Sequence, residues 1–161
     1  MNRFLDWRGH AWIALLARLY VGAVFLIACW HKIQNPSMFA LDVATYQLLP
    51  LGAVNLFALV LPWIELLCGL FFIFGLRVRA AALLVIGMML SFIVALFWAL
   101  HLGLDMSCGC FASQGAKNDP ISSLTVLRDL AWLALAAYVM AVDRRPLGIE
   151  SMLSSWRNTH A

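Results

Sequence analysis

Residues 53–102 read AVNLFALVLPWIELLCGLFFIFGLRVRAAALLVIGMMLSFIVALFWALHL, and this stretch decides the fold. It holds two apolar runs, about 53–75 and about 78–102, and the only formal charges of the whole stretch are Glu65, Arg77 and Arg79. Each run exceeds the roughly 20 apolar residues needed to cross a bilayer. Lipid offers no hydrogen-bond partners, so the backbone of each run must satisfy itself as a helix. The link Gly75-Leu76-Arg77 is too short for anything but an antiparallel hairpin. Pro62 removes one backbone donor from the first of the two helices and is expected to kink it.

Two further runs, about 12–31 and about 124–142, are also long enough to span. The expected fold is an all-α membrane protein: an antiparallel four-transmembrane-helix bundle forming a single domain over 1–161. Composition agrees. Residues of the set AVILMFWYC make up 64%, and only 12% are charged, against about 25% in soluble domains. A soluble globule, a disordered chain and a fibrous protein are excluded. The net charge of +3 comes without a basic stripe, which argues against nucleic-acid binding. Arg18 interrupts the first apolar run and no small-residue cleavage site follows it, so the run reads as a retained signal anchor.

Positive charge sets the expected orientation. Arg3, Arg8, Arg77, Arg79, Arg144, Arg145 and Arg157 fall on one side of the four-span topology, and only Lys32 and Lys117 fall in the opposite loops. Both termini are therefore expected in the cytoplasm of a bacterial inner membrane. The 32–52 and 103–123 loops then face the periplasm, which is oxidising. In the first of these loops, Asn35-Pro36-Ser37 is a helix start. Phe39, Val43, Tyr46 and Leu49 recur at helical spacing before Pro50 and Gly52 stop it. A short amphipathic helix on the outer surface is expected, either capping the mouth of the bundle or anchoring the loop.

The second outer loop contains Cys108-Gly109-Cys110. An i, i+2 cysteine pair can close only in a constrained turn, which Gly109 permits. A staple gains from closing a long loop, and this one has almost no length. Strained, exposed disulfides are the labile and catalytic ones. The spacing thus favours redox chemistry, with Cys108 and Cys110 as the catalytic pair. Unpaired thiols without a role are an alternative. A zinc site using His101, Asp105, Cys108 and Cys110 is another, although Cys-x-Cys departs from the usual ligand spacing.

Ionisable groups within the spans are candidates for function. Depth counted along the helices brings Arg18 and Glu65 within side-chain reach, so an internal ion pair between them is expected. A second set gathers near the outer edge: Cys29, His31, Lys32, His101, Arg128 and Asp129. Cations there would favour a reactive thiolate. His31, Lys32, His101, Arg128 and Asp129 are accordingly thiolate-site or quinone-site candidates, and Cys29 is a possible relay thiol. Cys68 lies deep in an apolar run and reads as a core residue. Trp12, Trp30, Trp63, Trp98 and Trp132 lie largely near span ends, as an aromatic belt would place them, with Trp63 an alternative cavity-lining residue.

Several features taken in order resemble the MauE family of methylamine-utilisation membrane proteins, within the DoxX-like superfamily. They are Arg18 with Gly22 and Phe25; Lys32, Pro36 and Phe39; the run from Tyr46 to Pro50; Leu61-Pro62-Trp63-Ile64-Glu65-Leu66 with Gly69; Arg77 to Ala81; Cys108-Gly109-Cys110-Phe111; and Arg128-Asp129. This chain departs at Ala112, where members commonly have glycine, and at Cys29-Trp30-His31, where small residues are common. The resemblance implies a four-helix membrane protein associated with periplasmic disulfide chemistry, working with a periplasmic thioredoxin-like partner. The expected function is a thiol–disulfide oxidoreductase. No heme, iron–sulfur or dinucleotide motif is present, which leaves a lipid-soluble quinone as the electron acceptor that needs none. The rival reading is a non-catalytic DoxX-like anchor or assembly subunit with a structural or metal-holding cysteine pair.

Overall fold

The structure is a computed structural model, described over residues 8–104 and 121–143. The described residues form five helices and no strand: α1 (Arg8–Gln34), α2 (Pro36–Thr45), α3 (Leu51–Phe74), α4 (Val78–His101) and α5 (Ser123–Val142). Four of them, α1, α3, α4 and α5, are long and apolar enough to cross a membrane. The all-α membrane bundle expected from the sequence is the observed architecture. The helix bounds agree with the four apolar runs to within about a turn.

α1 packs along α3 and α5, and α4 packs along α5 and α3, which closes a four-helix ring. Consecutive spans run antiparallel. Near one end, Val78, Ala81, Ala82 and Val85 of α4 pack with Ala136 and Val139 of α5. Near the other end, Leu96 and Ala99 of α4 meet Val126 of α5. The α3–α4 reversal is made by two consecutive left-handed placements. Gly75 takes φ +67°, which costs a glycine little, and Leu76 N–H donates to the Phe71 carbonyl at 3.0 Å. Arg77 follows at φ +41°, and its carbonyl accepts from Ala80 and Ala81 to start α4. α5 is started by Ser122, whose N–H reaches the Thr125 hydroxyl in a capping box.

Side chains sort as a lipid-facing bundle requires. Trp12, Leu16, Ile27, Leu56, Val94 and Leu124 are each more than 60% exposed on the outside. The interior combines alanines and valines with a few larger side chains, among them Phe25, Phe72 and Leu96, and with the few polar residues. Gly22 of α1 and Gly69 of α3 approach each other closely. A Cβ at Gly22 would lie 3.1 Å from the Gly69 carbonyl oxygen and 3.1 Å from Phe72 Cβ. Without hydrophobic driving force between helices in lipid, such small-residue contacts bring backbones together. This contact fixes how far α1 is slid along α3.

α3 continues as helix through Pro62, whose ring is buried in the bundle. Trp63 beside it is 53% exposed on the outer surface, so it lines no internal cavity. Trp132 departs from the expected belt in the opposite sense: it is buried, with its indole N–H 3.4 Å from the Tyr20 hydroxyl.

α2 is shorter than its sequence pattern suggested. It starts at Pro36 as expected but ends at Thr45, because Gln47 turns left-handed at φ +54° to lead the chain into α3. Leu49 therefore lies beyond the helix and is exposed, whereas Phe39 and Tyr46 are buried. Phe39 faces Lys32 of α1, and Tyr46 packs among Leu96, Ala99 and Val126. The segment thus caps one end of the bundle by touching helices on both sides of the ring.

Candidate functional site

The charged groups inside the bundle pair in an order that the helix geometry explains. Along an α-helix every Cα–Cβ bond leans toward the N-terminus. Lys32, near the C-terminal end of α1, therefore leans inward. Glu65, on antiparallel α3, leans toward the end capped by α2. Measured from the Gly22–Gly69 contact at 1.5 Å per residue, the two Cα atoms differ in level by about 9 Å, which the two side chains span. Lys32 Nζ donates to Glu65 Oε1 at 2.7 Å and to Oε2 at 3.0 Å. Both residues are buried, at 5% and 7% exposure. The Phe39 ring of α2 covers the ammonium, with its centroid 4.9 Å from Nζ.

The expected Arg18–Glu65 pair is not formed. Arg18 leans away from Glu65, toward the N-terminal end of α1, where α5 terminates. Its Nη1 donates to Asp143 Oδ2 at 3.0 Å, and both side chains are buried. Both carboxylate oxygens of Glu65 are taken by Lys32. Depth along the helix axes brings Arg18 and Glu65 near each other, but the direction in which each side chain leaves its helix carries them apart.

The remaining outer-edge candidates do share the α2 end of the bundle, in separate groupings. Arg128 and Asp129 lie in the second turn of α5. Arg128 Nε is 3.3 Å from Asp129 Oδ1, and its guanidinium sits 4.9 Å over the Trp132 ring. Asp129 is buried at 1% exposure. His101 ends α4 and is exposed, while His31 is half-buried on α1. Cys29 is buried one turn before Lys32, and its thiol donates to the Leu26 carbonyl at 3.2 Å. Covered in this way, Cys29 is shielded from a thiol arriving at the surface. Cys68 is buried in the apolar core with Phe72 and Val21, as its sequence context indicated. Cys108 and Cys110 lie outside the described residues. The residues that bound their segment are described: Leu104 and Ile121 both pack against the Tyr46, Leu96, Ala99 and Val126 cluster.

Three features escaped the sequence reading. Asp143 is the partner of Arg18; as an acidic residue at the terminus of the fourth span it was visible, and the antiparallel topology puts that terminus beside the start of α1. Phe39 covers Lys32, a contact that depends on how α2 folds back. The Gly22–Gly69 contact was hidden because the two glycines lie on different helices, so no small-residue repeat within either one shows it.

A ring of four antiparallel membrane helices, with buried ion pairs between them and a short helix closing one end, defines a multi-pass helical membrane protein. The chain belongs to the MauE family, described as methylamine utilisation protein MauE, which it matches over residues 10–142. It is 34% identical over 150 residues to the methylamine utilization protein MauE of Methylophilus methylotrophus, covering 89% of this chain and 76% of that protein. It is 32% identical over 120 residues to the methylamine utilization protein MauE of Paracoccus denitrificans, covering 74% of this chain and 63% of that protein. No solved structure matches.

Proposed function

We propose that this protein is an inner-membrane thiol–disulfide oxidoreductase serving methylamine utilisation, the process named for its relatives. Cys108 and Cys110 cycle between dithiol and disulfide. A periplasmic thioredoxin-like partner delivers two electrons and two protons by exchange through a mixed disulfide, leaving with its own cysteines oxidised. The Cys108–Cys110 dithiol then passes two electrons and two protons to a quinone from the bilayer, giving hydroquinone.

The observation that carries this reading is the convergence at the α2 end. Leu104 and Ile121 tie both ends of the Cys-Gly-Cys segment to the cluster beneath α2. The buried Lys32–Glu65 pair and the Arg128–Asp129 group belong to the same end. Buried ionisable groups in a membrane bundle are costly and mark functional regions. The positive-charge distribution supports a periplasmic position for this end, with both termini in the cytoplasm.

A thiol-alkylation gel shift on intact membranes tests it, with and without reductant, in the wild type and in Cys108→Ser. The expected result is a disulfide between Cys108 and Cys110 that becomes reduced when the membranes are depleted of quinone. Thiols that stay free whether or not quinone is present would overturn the catalytic reading in favour of an anchoring or metal-holding role.

A further inference from the structure

The Lys32 ammonium is incompletely satisfied in a way that points to a ligand. An ammonium carries three N–H donors. Two of them account for the bonds to Glu65 Oε1 and Oε2 at 2.7 and 3.0 Å. Among the described residues the third has no oxygen acceptor; the face of Phe39 lies over the ammonium instead, 4.9 Å from ring centroid to Nζ. Lys32 is only 5% exposed, so water is a poor substitute. An open donor on a buried charge leaves free energy to be gained by supplying an acceptor.

The surroundings restrict the acceptor's chemistry. Lys32 and Glu65 together are neutral, so an anion arriving at Lys32 would meet the Glu65 carboxylate beside it. A neutral carbonyl oxygen carries no such penalty. The Phe39 ring beside the ammonium favours a flat, conjugated molecule. On the same two helices, Ile27, Trp30, Leu56 and Val60 present an exposed apolar surface near the level of the pair. A ligand approaching across that surface comes from the hydrocarbon phase.

We propose that the Lys32–Glu65 pair beneath Phe39 is the docking point for a carbonyl oxygen of a lipid-soluble quinone. The assignment rests on the oxidoreductase reading above and names the site at which its acceptor is held. The redox step balances without a further reactant. The Cys108–Cys110 dithiol loses two electrons and two protons as the S–S bond forms. The quinone gains two electrons and two protons and leaves as hydroquinone. Lys32 donates a hydrogen bond to the quinone oxygen, and Glu65 holds the ammonium in place.

The test uses the full-length protein in vesicles stripped of quinone, reduced with dithiothreitol and then freed of it. Reoxidation of Cys108 and Cys110 is followed by alkylation gel shift after adding either a short-tailed benzoquinone or oxidised glutathione. The variant is Lys32→Met with Glu65→Leu, since replacing both members of a buried pair by apolar residues preserves packing without stranding a charge. Reoxidation by benzoquinone is expected to slow by about tenfold or more, the worth of a hydrogen bond to a charged group. Reoxidation by glutathione should be unchanged, which a merely structural role would not separate. Phe39→Leu provides an independent reading: it keeps apolar bulk, and the benzoquinone concentration at half-maximal rate should rise about threefold with the loss of ring stacking. Wild-type rates and half-saturation in these variants would overturn the site. A wild-type protein that glutathione reoxidises but benzoquinone does not would overturn the site while leaving the thiol chemistry standing. A cysteine pair that neither oxidant closes would overturn both.

Discussion

Lys32 and Glu65 meet because they leave antiparallel helices with their side chains leaning toward each other. The ammonium holds both carboxylate oxygens, at 2.7 and 3.0 Å, from a backbone position roughly 9 Å higher along the bundle. A lysine so close to a helix end would ordinarily extend outward to the headgroups. Here it reaches inward, and Phe39 of α2 closes over it. The arrangement links the shortest of the described helices to the only acidic residue of α3.

The first prediction concerns that pair. Lys32→Met alone leaves the Glu65 carboxylate buried without its partner and should destabilise the protein by about 3–5 kcal/mol. The double variant Lys32→Met, Glu65→Leu should lie much closer to the wild type. Thermal unfolding in a mild detergent, followed by fluorescence-detected size exclusion, checks the order. A double variant no more stable than the single one would show that the two residues are not energetically coupled.

The α1–α3 contact supplies a second. In Gly22→Ala the new methyl would meet a backbone carbonyl and a helix-borne Cβ at 3.1 Å each, neither of which can swing aside. The helices must separate, at an expected cost of about 1–3 kcal/mol. Gly87 of α4 has nothing within 4 Å of its added methyl. Gly87→Ala should therefore be neutral or stabilising by up to about 1 kcal/mol, the helix-propensity difference. The two alanine substitutions, measured side by side, separate a packing requirement from a propensity effect.

Phe39→Ala should loosen α2 more than a surface substitution would, through lost burial and about 0.5–2 kcal/mol of cation–π attraction to Lys32. Hydrogen exchange over 36–46 reads this directly: amide protection in α2 should fall while that of α4 stays the same. Met38, on the exposed side of the same helix, makes the control. Met38→Ala should leave protection of α2 nearly unchanged.

Orientation is testable with cysteines introduced one at a time into a Cys108→Ser, Cys110→Ser background, in which the remaining Cys29 and Cys68 are both buried. Leu48 and Arg77 are both exposed and lie at opposite ends of the bundle. Leu48→Cys should react with a membrane-impermeant maleimide on cells whose outer membrane is permeabilised. Arg77→Cys should react only after the inner membrane is opened. The reverse pattern would invert the topology inferred from the arginines.

Much of the fold is legible in the residues before any coordinates. Four apolar runs of membrane-spanning length must be helices, because hydrocarbon leaves the backbone no other partner, and three-residue Gly75-Leu76-Arg77 can only join neighbours. The start of α2 could be read from Asn35-Pro36 because the ring of proline suits a first helical turn. These are local properties: run length, missing donors, allowed dihedrals. They also marked Arg18, Lys32, Glu65 and Asp129 as important, since any charge in such a setting must be paired or functional.

What no run of residues states is which charge meets which. That depends on how far one helix is slid along its neighbour, and the slide is set by two glycines, Gly22 and Gly69, that are 47 positions apart in the chain and touch only when α1 and α3 are packed. Once that register is set, the lean of each Cβ sends Lys32 to Glu65 and Arg18 to Asp143. The same packing decides that Trp132 turns inward and Trp63 outward, and that Phe39 folds over an ammonium rather than into a headgroup layer. Composition determined that this chain lives in a membrane as a helical bundle. The partners of its buried charges came only from the tertiary structure, because pairing is a property of register and side-chain direction between helices, and neither is encoded within a single one.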